Sequence, residues 1–502
     1  MSLSRRLLVG TALAVVSTVL GLAVAVSMFL NSSRTVVLVG HDTVVRPTLA
    51  RDAVIRTGPV LPDFRLRDVG PVGLTLTLGK TEAGSVEDLV ERYAVIAGDP
   101  TAPIAKVQDV VVDMAVAAAL RGLAAGLVPV AVFLLLGRHR RGELFRGLRT
   151  RQGLLALALL LALPLLTWQP WEADEETQTE QGSWETLADY VGPGAVLPRE
   201  VRDIEIRTNA VTNQSRRLVL SALGTYSTSK EFYSTAADEA ADLDLREPQD
   251  GETVALLVSD RHDNIGMDRV ARAIGEAAGA TVVLDAGDDT STGQPWEAFS
   301  LDSLAAAFDD WDRFGVAGNH DHGDFVTGYL ADAGWTMLQG EAVDAPWGGT
   351  LLGVDDPRSS GLGSWRDESG LSFTEVGERL ADAACAAADD GERVSTVLVH
   401  DANLGREALD RGCVDLVVGG HTHVQAGPDA VEGEDDATGY TWTNGTTGGA
   451  AYAIALGSKP RRNADVSLIT YADGRPTGLQ WVRLRTDGSW RVGDWEPITP
   501  GP

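Results

Sequence analysis

Cysteine is scarce in this chain, which has only two among its 502 residues, Cys385 and Cys413. Two thiols cannot supply a structural zinc framework or a multi-disulfide scaffold, so neither device holds the fold together. The sequence leaves open whether the two cysteines form one disulfide, which an oxidising compartment allows, or remain buried thiols that behave as small apolar side chains.

Positive charge is also in short supply. The chain carries 42 Lys and Arg against 71 Asp and Glu, a formal net charge of −29. The deficit is concentrated in residues 172–502, with 24 basic against 59 acidic residues, whereas residues 114–171 hold 7 against 1. Polyanion binding requires a basic surface, so the composition argues against nucleic acid as a partner. A smaller anionic ligand would need bound cations to reverse the local field.

Long hydrophobic runs are present, and the first covers residues 7–30. It is uncharged and long enough to cross a bilayer at a rise of about 1.5 Å per residue. Arg5 and Arg6 precede it, which predicts a cytoplasmic N-terminus. A cleaved signal peptide is the alternative, because small residues occur at 23–25, but the run stays apolar beyond them and favours an uncleaved anchor. Both alternatives export the residues that follow.

Two further apolar runs, at about 115–137 and 153–171, predict a transmembrane hairpin. The loop between them, residues 138–152, contains six arginines and one glutamate, and the second run ends at Trp168 and Trp171. A short basic loop marks the cytoplasmic side, and tryptophan is typical of the membrane interface. A buried hairpin in a soluble core would have to solvate the arginine cluster beside two apolar runs, so we reject that interpretation.

The predicted topology has three transmembrane helices, with the N-terminus and residues 138–152 in the cytoplasm and the rest of the soluble chain outside it. It divides the chain into a transmembrane helix or signal anchor at 1–30, a small extracytoplasmic domain at 31–113, a transmembrane hairpin at 114–171, an acidic linker and membrane-proximal segment at 172–250, and a large domain at 251–502. The part at 183–250 is expected to contribute an edge strand and a helix to that last domain.

The C-terminal domain alternates short apolar strands with helices, which predicts an α/β fold. Strands are predicted at 253–259, 281–286, 314–317, 350–354, 394–399 and 414–418, and helices at 264–278, 300–310, 373–389 and 404–411. In such sheets, ligands bind beyond the carboxyl ends of the strands. The tail at 440–500 is strand-like and is expected to complete a second sheet.

Five polar blocks follow the predicted strands and contain five of the eight histidines of the chain. They read SDRH at 259–262, GD at 287–288, GNHD at 318–321, VHD at 399–401 and GGHTH at 419–423. Histidines gathered on strand-end loops, with Asp and Asn between them, are typical of a metal site rather than of a solvated surface. A single Asp before a helix is usually a cap, so the interpretation depends on all five blocks together.

The order D-x-H, GD, GNHD, H and GHTH resembles the calcineurin-like metallophosphoesterase family over roughly residues 253–450. This resemblance implies a four-layered α/β/β/α sandwich with a dinuclear metal centre. One metal would be held by Asp260, His262, Asp288 and His423, and a second by Asp288, Asn319, His400 and His421, with Asp288 bridging the two. His320 would face the substrate as a proton donor or charge stabiliser, and Asp321 would orient it.

The residue types agree with that implication. Mixed Asp, Asn and His ligation suits Mn, Fe or Zn rather than Mg or Ca, which prefer all-oxygen shells. His421 and His423 are two apart on an extended segment, so both imidazoles point the same way and one loop can serve both metals. Two divalent transition-metal ions would supply an activated hydroxide for in-line attack on phosphorus, and His320 would protonate the leaving alkoxide.

Some positions depart from the family or stay open. Ser291 stands where relatives often have an acidic residue, and residues 424–427 read VQAG where many relatives have Gly-Gly-Gln. Arg261 either clamps a phosphate or forms a salt bridge with an acidic neighbour. Residues 446–449 (TTGG) are a candidate loop that closes over the site, and His322 is expected to be a solvated loop histidine.

The sequence therefore predicts a multi-pass membrane protein whose extracytoplasmic domain hydrolyses a phosphomonoester or phosphodiester. Proximity to the bilayer favours a lipid or cell-envelope phosphoester as substrate, and an exported nucleotide is the competing one. The alternative is a metal-binding receptor or scaffold protein of the same fold without turnover. Such a protein would need the ligands but would have no use for His320.

Overall fold

The computed structural model describes fourteen stretches of the chain, and every structural statement below refers to them: residues 3–38, 41–57, 63–79, 101–137, 140–141, 150–153, 155, 183–191, 204–208, 228–321, 323–359, 370–389, 393–450 and 459–501. The chain divides into two compact units. The first combines Met1–Lys80 with Ile104–Arg217, and the second combines Thr81–Pro103 with Leu218–Pro502.

Two long apolar helices belong largely to the first unit: α1 (Leu3–Leu30) and α2 (Thr101–Leu135). Both are long and apolar enough to cross a membrane. A Cβ added at Gly122 would lie 2.5 Å from the carbonyl oxygen of Gly21, so the two backbones approach closely through small residues, as membrane helices do. The third run predicted at 153–171 lies almost wholly outside the described residues, as does most of the basic loop at 138–152.

The first unit also contains a seven-stranded sheet and a short helix, α3 (Leu187–Val191). Its strands are β1 (Arg34–Leu38), β2 (His41–Thr48), β3 (Ala53–Arg56), β4 (Phe64–Leu66), β5 (Gly73–Leu78), β6 (Ser183–Thr186) and β7 (Glu205–Thr208), in the order β1-β2-β5-β3-β4-β7-β6. The strand expected to join the C-terminal domain from 183–250 is absent from that domain as described, because β6 and β7 pair here instead. Ile206 is fully buried opposite Phe64. The sequence also predicts a helical stretch near 85–96, which lies outside the described residues.

The second unit contains the predicted alternation of strands and helices. A helix, α4, runs through 228–240 and packs Tyr233 into the core of this unit, as expected for the membrane-proximal segment. The other helices are α5 (Gly266–Ala277), α6 (Ala298–Ala307), α7 (Phe325–Asp332), α8 (Phe373–Asp389) and α9 (Arg406–Asp410).

Two mixed sheets make up the second unit. The first has the order β11-β10-β9-β8-β18-β19-β20, with β21 beside β19, and the second has the order β12-β13-β14-β15-β17-β16. Their strands are β8 (Glu252–Val258), β9 (Ala280–Asp285), β10 (Asp312–Gly315), β11 (Thr336–Met337), β12 (Val343–Asp344), β13 (Thr350–Val354), β14 (Val394–Val399), β15 (Val414–Gly419), β16 (Ala426–Glu432), β17 (Thr438–Thr443), β18 (Ala464–Ala472), β19 (Arg475–Leu484), β20 (Trp490–Val492) and β21 (Glu496–Pro497). The six predicted strands are all present within two residues.

The tail divides between these sheets instead of completing one of them. Strand β17 runs parallel to β15 in the second sheet, and β18 runs antiparallel to β8 in the first. The sequence pattern reveals a strand but not its partner, because pairing depends on contacts far apart in the chain.

Three apolar clusters hold this unit together. One includes α5 and β8, through Ile274 and Leu256. A second combines side chains of both sheets, such as Leu257 and Leu416, and a third includes α8 and β14, through Leu380 and Val397. Apolar faces on both sides of each sheet explain why these strands read as continuous hydrophobic runs.

Candidate metal centre

The five polar blocks lie directly after five parallel strands, β8, β9, β10, β14 and β15. The carboxyl ends of parallel strands meet at one edge of each sheet, so the blocks converge. A hydrogen bond links the two groups of strands, because the His400 Nδ1–H donates to the carbonyl oxygen of Ala286 at 2.8 Å.

At three of the five blocks the backbone is left-handed, a conformation that residues other than glycine rarely adopt. The value of φ is 54° at Asp260, 46° at His262, 56° at Asp288, 71° at His421 and 58° at His423. Such residues cost free energy and persist where the surrounding structure fixes them, often at functional sites.

The first cluster of donor atoms contains Asp260, His262 and His423. The Nε2 atoms of the two histidines lie 3.1 Å apart, and His423 Nε2 lies 3.2 Å from Asp260 Oδ1. Asp260 Oδ2 accepts hydrogen bonds from the Ser259 hydroxyl and from the backbone N–H of His421, whereas Oδ1 is buried and has no hydrogen-bond partner among the described residues.

The second cluster contains Asn319, His400 and His421. The His400 Nε2 lies 3.0 Å from Asn319 Oδ1 and 3.2 Å from His421 Nδ1. All three side chains belong to the polar blocks that follow the predicted strands.

Asp288 lies between the two clusters. Its Oδ2 is 3.8 Å from His262 Nε2 and 3.3 Å from His400 Nε2, while its Oδ1 accepts a hydrogen bond from the backbone N–H of His320. One carboxylate oxygen therefore faces a histidine nitrogen of each cluster. The structure thus brings together all seven predicted ligand residues.

Each histidine of the first cluster has an outer nitrogen, which contacts a backbone carbonyl, and an inner nitrogen, which faces the cluster. The contact of the outer nitrogen indicates which nitrogen carries the proton. His262 Nδ1 contacts the Thr290 carbonyl at 3.3 Å and His423 Nδ1 contacts the Ala450 carbonyl at 3.1 Å. A carbonyl only accepts, so each Nδ1 carries a proton, and in the neutral imidazole each Nε2 presents a lone pair. Two such lone pairs and Asp260 Oδ1 then face one another at close range. They repel unless a proton or a metal cation lies between them, so this donor set fits a metal ion.

The buried carboxylates of Asp260 and Asp288 make the site favourable for positive charge. Burial lowers the pKa of His400, but the charges of Asp288 and Asp260 outweigh burial and hold that pKa well above its ordinary value. Burial raises the pKa of Asp288, but the charge of His400 and its hydrogen bond outweigh burial and hold that pKa below its ordinary value. Burial also raises the pKa of Asp260, but its hydrogen bond with His423 and the charge of His400 outweigh burial and hold that pKa below its ordinary value. Both carboxylates are thus ionised inside a buried site, and their negative field attracts cations.

The comparison with known families agrees with this geometry. Residues 254–425 match the family model described as calcineurin-like phosphoesterase, over about a third of the chain. The chain contains a calcineurin-like phosphoesterase domain. The family prediction made from the five blocks is confirmed.

Solved structures resemble the chain only remotely. A 5'-nucleotidase precursor from Thermus thermophilus shares 16% identity at a TM-score of 0.30, with 50% of this chain and 55% of that chain covered. A sulfate thiohydrolase from the same organism shares 20% identity at 0.27, with 48% and 43% covered, and an archaeal phosphodiesterase shares 14% at 0.27, with 49% and 100% covered. The match spans about half the length of the first two. No curated protein matches the chain.

In the phosphoesterase domain, His320 lies beside the first cluster, but its neighbours differ from those expected. Its ring centroid is 5.1 Å from that of His262, and its Nδ1 contacts the Ser291 carbonyl at 3.0 Å. Asp321 was expected to orient this ring. Its carboxylate instead accepts hydrogen bonds from the backbone N–H groups of Asp289 and Thr290, among others, so it fixes the loop after β9.

Arg261 is a buried ion-pair residue of the phosphoesterase domain rather than a phosphate clamp. Its guanidinium is 2.7 Å from Asp268 and 3.0 Å from Asp289, and its side chain is 1% exposed. This contact decides between the two roles left open by the sequence. His322 lies outside the described residues.

Residues 444–450, which we call the strap, include the predicted loop at 446–449 and form hydrogen bonds with the segment that carries Asp260. The Thr447 N–H donates to the carbonyl of Ser259, and both the Thr446 hydroxyl and the Gly448 N–H donate to the carbonyl of Asp260. Ala450 supplies the carbonyl that orients His423. The strap is buried and therefore supports the metal centre from within. Its turn-like composition gave no signal of this role.

Proposed function

We propose that this protein is a membrane-anchored, metal-dependent phosphoesterase with a dinuclear centre. One divalent transition-metal ion (Mn, Fe or Zn) would be held by Asp260, His262, Asp288 and His423, and a second by Asp288, Asn319, His400 and His421. The family match supports the reaction class, and the donor types support these metals over Mg or Ca.

A single observation carries the proposal: Asp288 Oδ2 faces a histidine nitrogen of each cluster, at 3.8 and 3.3 Å. Two neighbouring cations repel strongly unless an anion is shared between them, so a bridging carboxylate is what a dinuclear centre requires. A site for one metal would have no need of this arrangement.

The residues of the chain can then be given roles in hydrolysis. Bound divalent ions would lower the pKa of a coordinated water and neutralise the charge of the phosphate. His320 donates its Nδ1–H to the Ser291 carbonyl, which leaves Nε2 as the atom that exchanges a proton with the substrate. We propose that His320, carrying a second proton on Nε2, gives that proton to the leaving alkoxide and is left as a neutral imidazole. Asp321 would act by holding the Thr290 backbone.

We further propose that the phosphoesterase domain is a four-layered α/β/β/α sandwich within residues 251–502. The three apolar clusters support this arrangement, since one combines the two sheets and the others combine a sheet with helices. The remaining divisions are those predicted from the sequence, with residues 31–113 as a small domain and 172–250 as a linker and membrane-proximal segment. Within that segment, β6 and β7 complete the sheet of the small domain, and α4 packs on the phosphoesterase domain.

We propose an extracytoplasmic position for the catalytic domain, in a multi-pass membrane protein. The basic composition of residues 138–152 supports a cytoplasmic loop. Cys385 and Cys413 form a disulfide, with Cα atoms 5.0 Å apart, and structural disulfides persist in oxidising compartments. The close contact of Gly21 with Gly122 supports a retained anchor at α1 over a cleaved signal peptide.

A phosphoester attached to a lipid or to the cell envelope is the substrate we favour, because the domain is tethered beside the bilayer. A nucleotide is the competing substrate, and the acidic charge of the domain argues against nucleic acid as a partner. A receptor or scaffold that binds metals without turnover is the alternative function.

The test is turnover of p-nitrophenyl phosphate and bis(p-nitrophenyl) phosphate by the purified full chain in detergent with added Mn²⁺. We expect hydrolysis of at least one ester, abolished by chelation and by Asp288→Asn. Asp473→Asn is the matched control, because Asp473 is an exposed Asp with the same left-handed backbone outside the site. Two bound metals without turnover would favour the scaffold, and failure to bind metal would overturn the proposal.

A further inference from the structure

One candidate ligand, His421, is supported differently from the other histidines of the site. The outer nitrogens of His262, His400 and His423 contact backbone carbonyls, those of Thr290, Ala286 and Ala450. His421 directs Nδ1 toward His400, so its outer nitrogen is Nε2, which lies 4.0 Å from Asp401 Oδ2. Among the described histidines of the site, only His421 has a carboxylate side chain on its outer side.

Arg358 holds that carboxylate. Its Nη2 lies 2.9 Å from Asp401 Oδ2, the same oxygen that faces His421. The guanidinium also contacts Asp356 through Nε at 2.9 Å and Nη2 at 2.6 Å, and it lies over the ring of Phe373 at 4.3 Å. Three contacts therefore fix the fork of Arg358, and through it the position of Asp401.

The loop that carries Arg358 is tied to another part of the site. The Asp356 N–H donates to the carbonyl of Ala317, and the Ala317 N–H donates to Asp355 Oδ1 at 2.7 Å. Ala317 is two residues before Asn319, which belongs to the same cluster as His421. One loop thus connects the supports of two ligands predicted for the second metal, and it makes none of these contacts with the first cluster.

A carboxylate beside the outer nitrogen of a metal-binding histidine fixes the ring and increases its basicity. We propose that Asp401 and Arg358 are positioning residues for the second metal, acting through His421. This inference rests on the proposed dinuclear function. Arg358 acts on the metal centre through Asp401, not as a contact for the substrate, because two carboxylates and a ring already engage its guanidinium.

The test measures metal binding as well as turnover, using the full chain in detergent, stripped with chelator and titrated with Mn²⁺ by calorimetry. The variants are Asp401→Asn, Arg358→Gln and Arg358→Lys. Asparagine retains the Oδ1 that accepts the Asn403 N–H, so the local turn is preserved. Arg272→Gln is the matched control, because Arg272 also pairs with two carboxylates, Glu276 and Asp310, and lies over Trp311 at 4.5 Å, away from the site.

We expect the wild type and Arg272→Gln to bind two Mn²⁺ ions with the same affinities. Asp401→Asn and Arg358→Gln should bind the first ion unchanged and the second about 10- to 100-fold more weakly. Arg358→Lys should recover part of that loss, since it keeps the charge but not the fork. In turnover, excess Mn²⁺ should restore much of the rate.

Three results would overturn the inference. Unchanged binding of both ions by Asp401→Asn would remove the role of the carboxylate. Equal weakening of both ions would mean that the pair supports the fold in general, and a raised KM for substrate with unchanged metal affinities would make Arg358 a substrate contact. A wild type that binds no metal would overturn the proposed function itself, and with it this inference, so the two failures are distinguishable.

Discussion

The imidazole of His320 is oriented by the carbonyl oxygen of Ser291, which lies 3.0 Å from its Nδ1. Ser291 is itself fixed, because its N–H and its hydroxyl both donate to Asp263 Oδ2. A serine at the position where relatives often have an acid thus has a defined task. Its carbonyl holds the proton of Nδ1 in place, and the opposite nitrogen remains for the substrate.

Replacing His320 by alanine should reduce kcat in proportion to how much the leaving group needs a proton. With an alkyl phosphoester, whose leaving alkoxide is strongly basic, we expect a loss of about 100-fold or more. With p-nitrophenyl phosphate, whose leaving group departs as a stable anion, the loss should be below about 10-fold. Steady-state kinetics on both esters, with metal content measured in parallel, checks this. An equal loss on both would argue against a proton donor.

Adding a single methyl group to the strap should loosen the site. A Cβ at Gly448 would lie 2.0 Å from the Arg261 carbonyl, so Gly448→Ala should lower the free energy of unfolding by about 1–3 kcal/mol. It should also weaken Mn²⁺ binding, because the strap contacts Asp260 and His423. Gly328→Ala is the control, since a Cβ there meets nothing within 4 Å and its helix should gain up to about 1 kcal/mol. Urea unfolding measures the free energy of unfolding of both variants. Equal values would show that the strap has room for a methyl group at residue 448.

Asp355 should make stability depend on pH in mildly acidic solution. Burial raises its pKa from 3.8 to about 6. At Asp355 the folded state therefore binds a proton more tightly than the unfolded state. The contribution of this carboxyl to the free energy of unfolding is greatest below pH 4 and is lost as pH rises through 6. Between pH 4 and 7 the loss should be about 2 kcal/mol.

The check is urea unfolding of the wild type and Asp355→Asn across that range. The amide keeps the acceptor for the Ala317 N–H but cannot ionise. The difference between the two proteins isolates this group from the other buried acids. Parallel curves would show that Asp355 has an ordinary pKa.

The disulfide between Cys385 and Cys413 should stabilise the domain by joining the end of α8 to the start of β15. It closes a loop of 28 residues, for which the reduction in unfolded-state entropy corresponds to about 3–4 kcal/mol. Reducing agent should lower the urea midpoint of the wild type to that of the double variant Cys385→Ser, Cys413→Ser. Alkylation of both cysteines in denatured, unreduced protein would contradict the pairing.

The sequence predicted the strands of the phosphoesterase domain well because each is a short apolar run bounded by polar residues. It also indicated the seven candidate ligands, because residues that directly follow parallel strands are brought together at one edge of the sheet. Both predictions depend on local pattern, which survives without knowledge of the partners.

What the sequence did not reveal depends on contacts between distant segments. Ala450 orients His423, and Arg358 holds Asp401, yet neither residue type nor spacing marks them. Likewise, nothing in the sequences of β6 and β7 indicates which sheet they join. The pairing of the buried Ile206 with Phe64 shows it. Pairing over more than a hundred residues is set by packing, and the local pattern is silent on it.

The pairing of β4 with β7 limits the number of times that the chain between them can cross a bilayer. Phe64 and Ile206 are neighbours in one sheet, although α2 lies between them in the chain. Strands cannot hydrogen-bond across a hydrocarbon layer, so both residues share a compartment, and the chain between them traverses the layer an even number of times. If α2 is one traverse, as we propose, a second traverse is needed between β5 and β6, and in the sequence the apolar run at 153–171 has a suitable length.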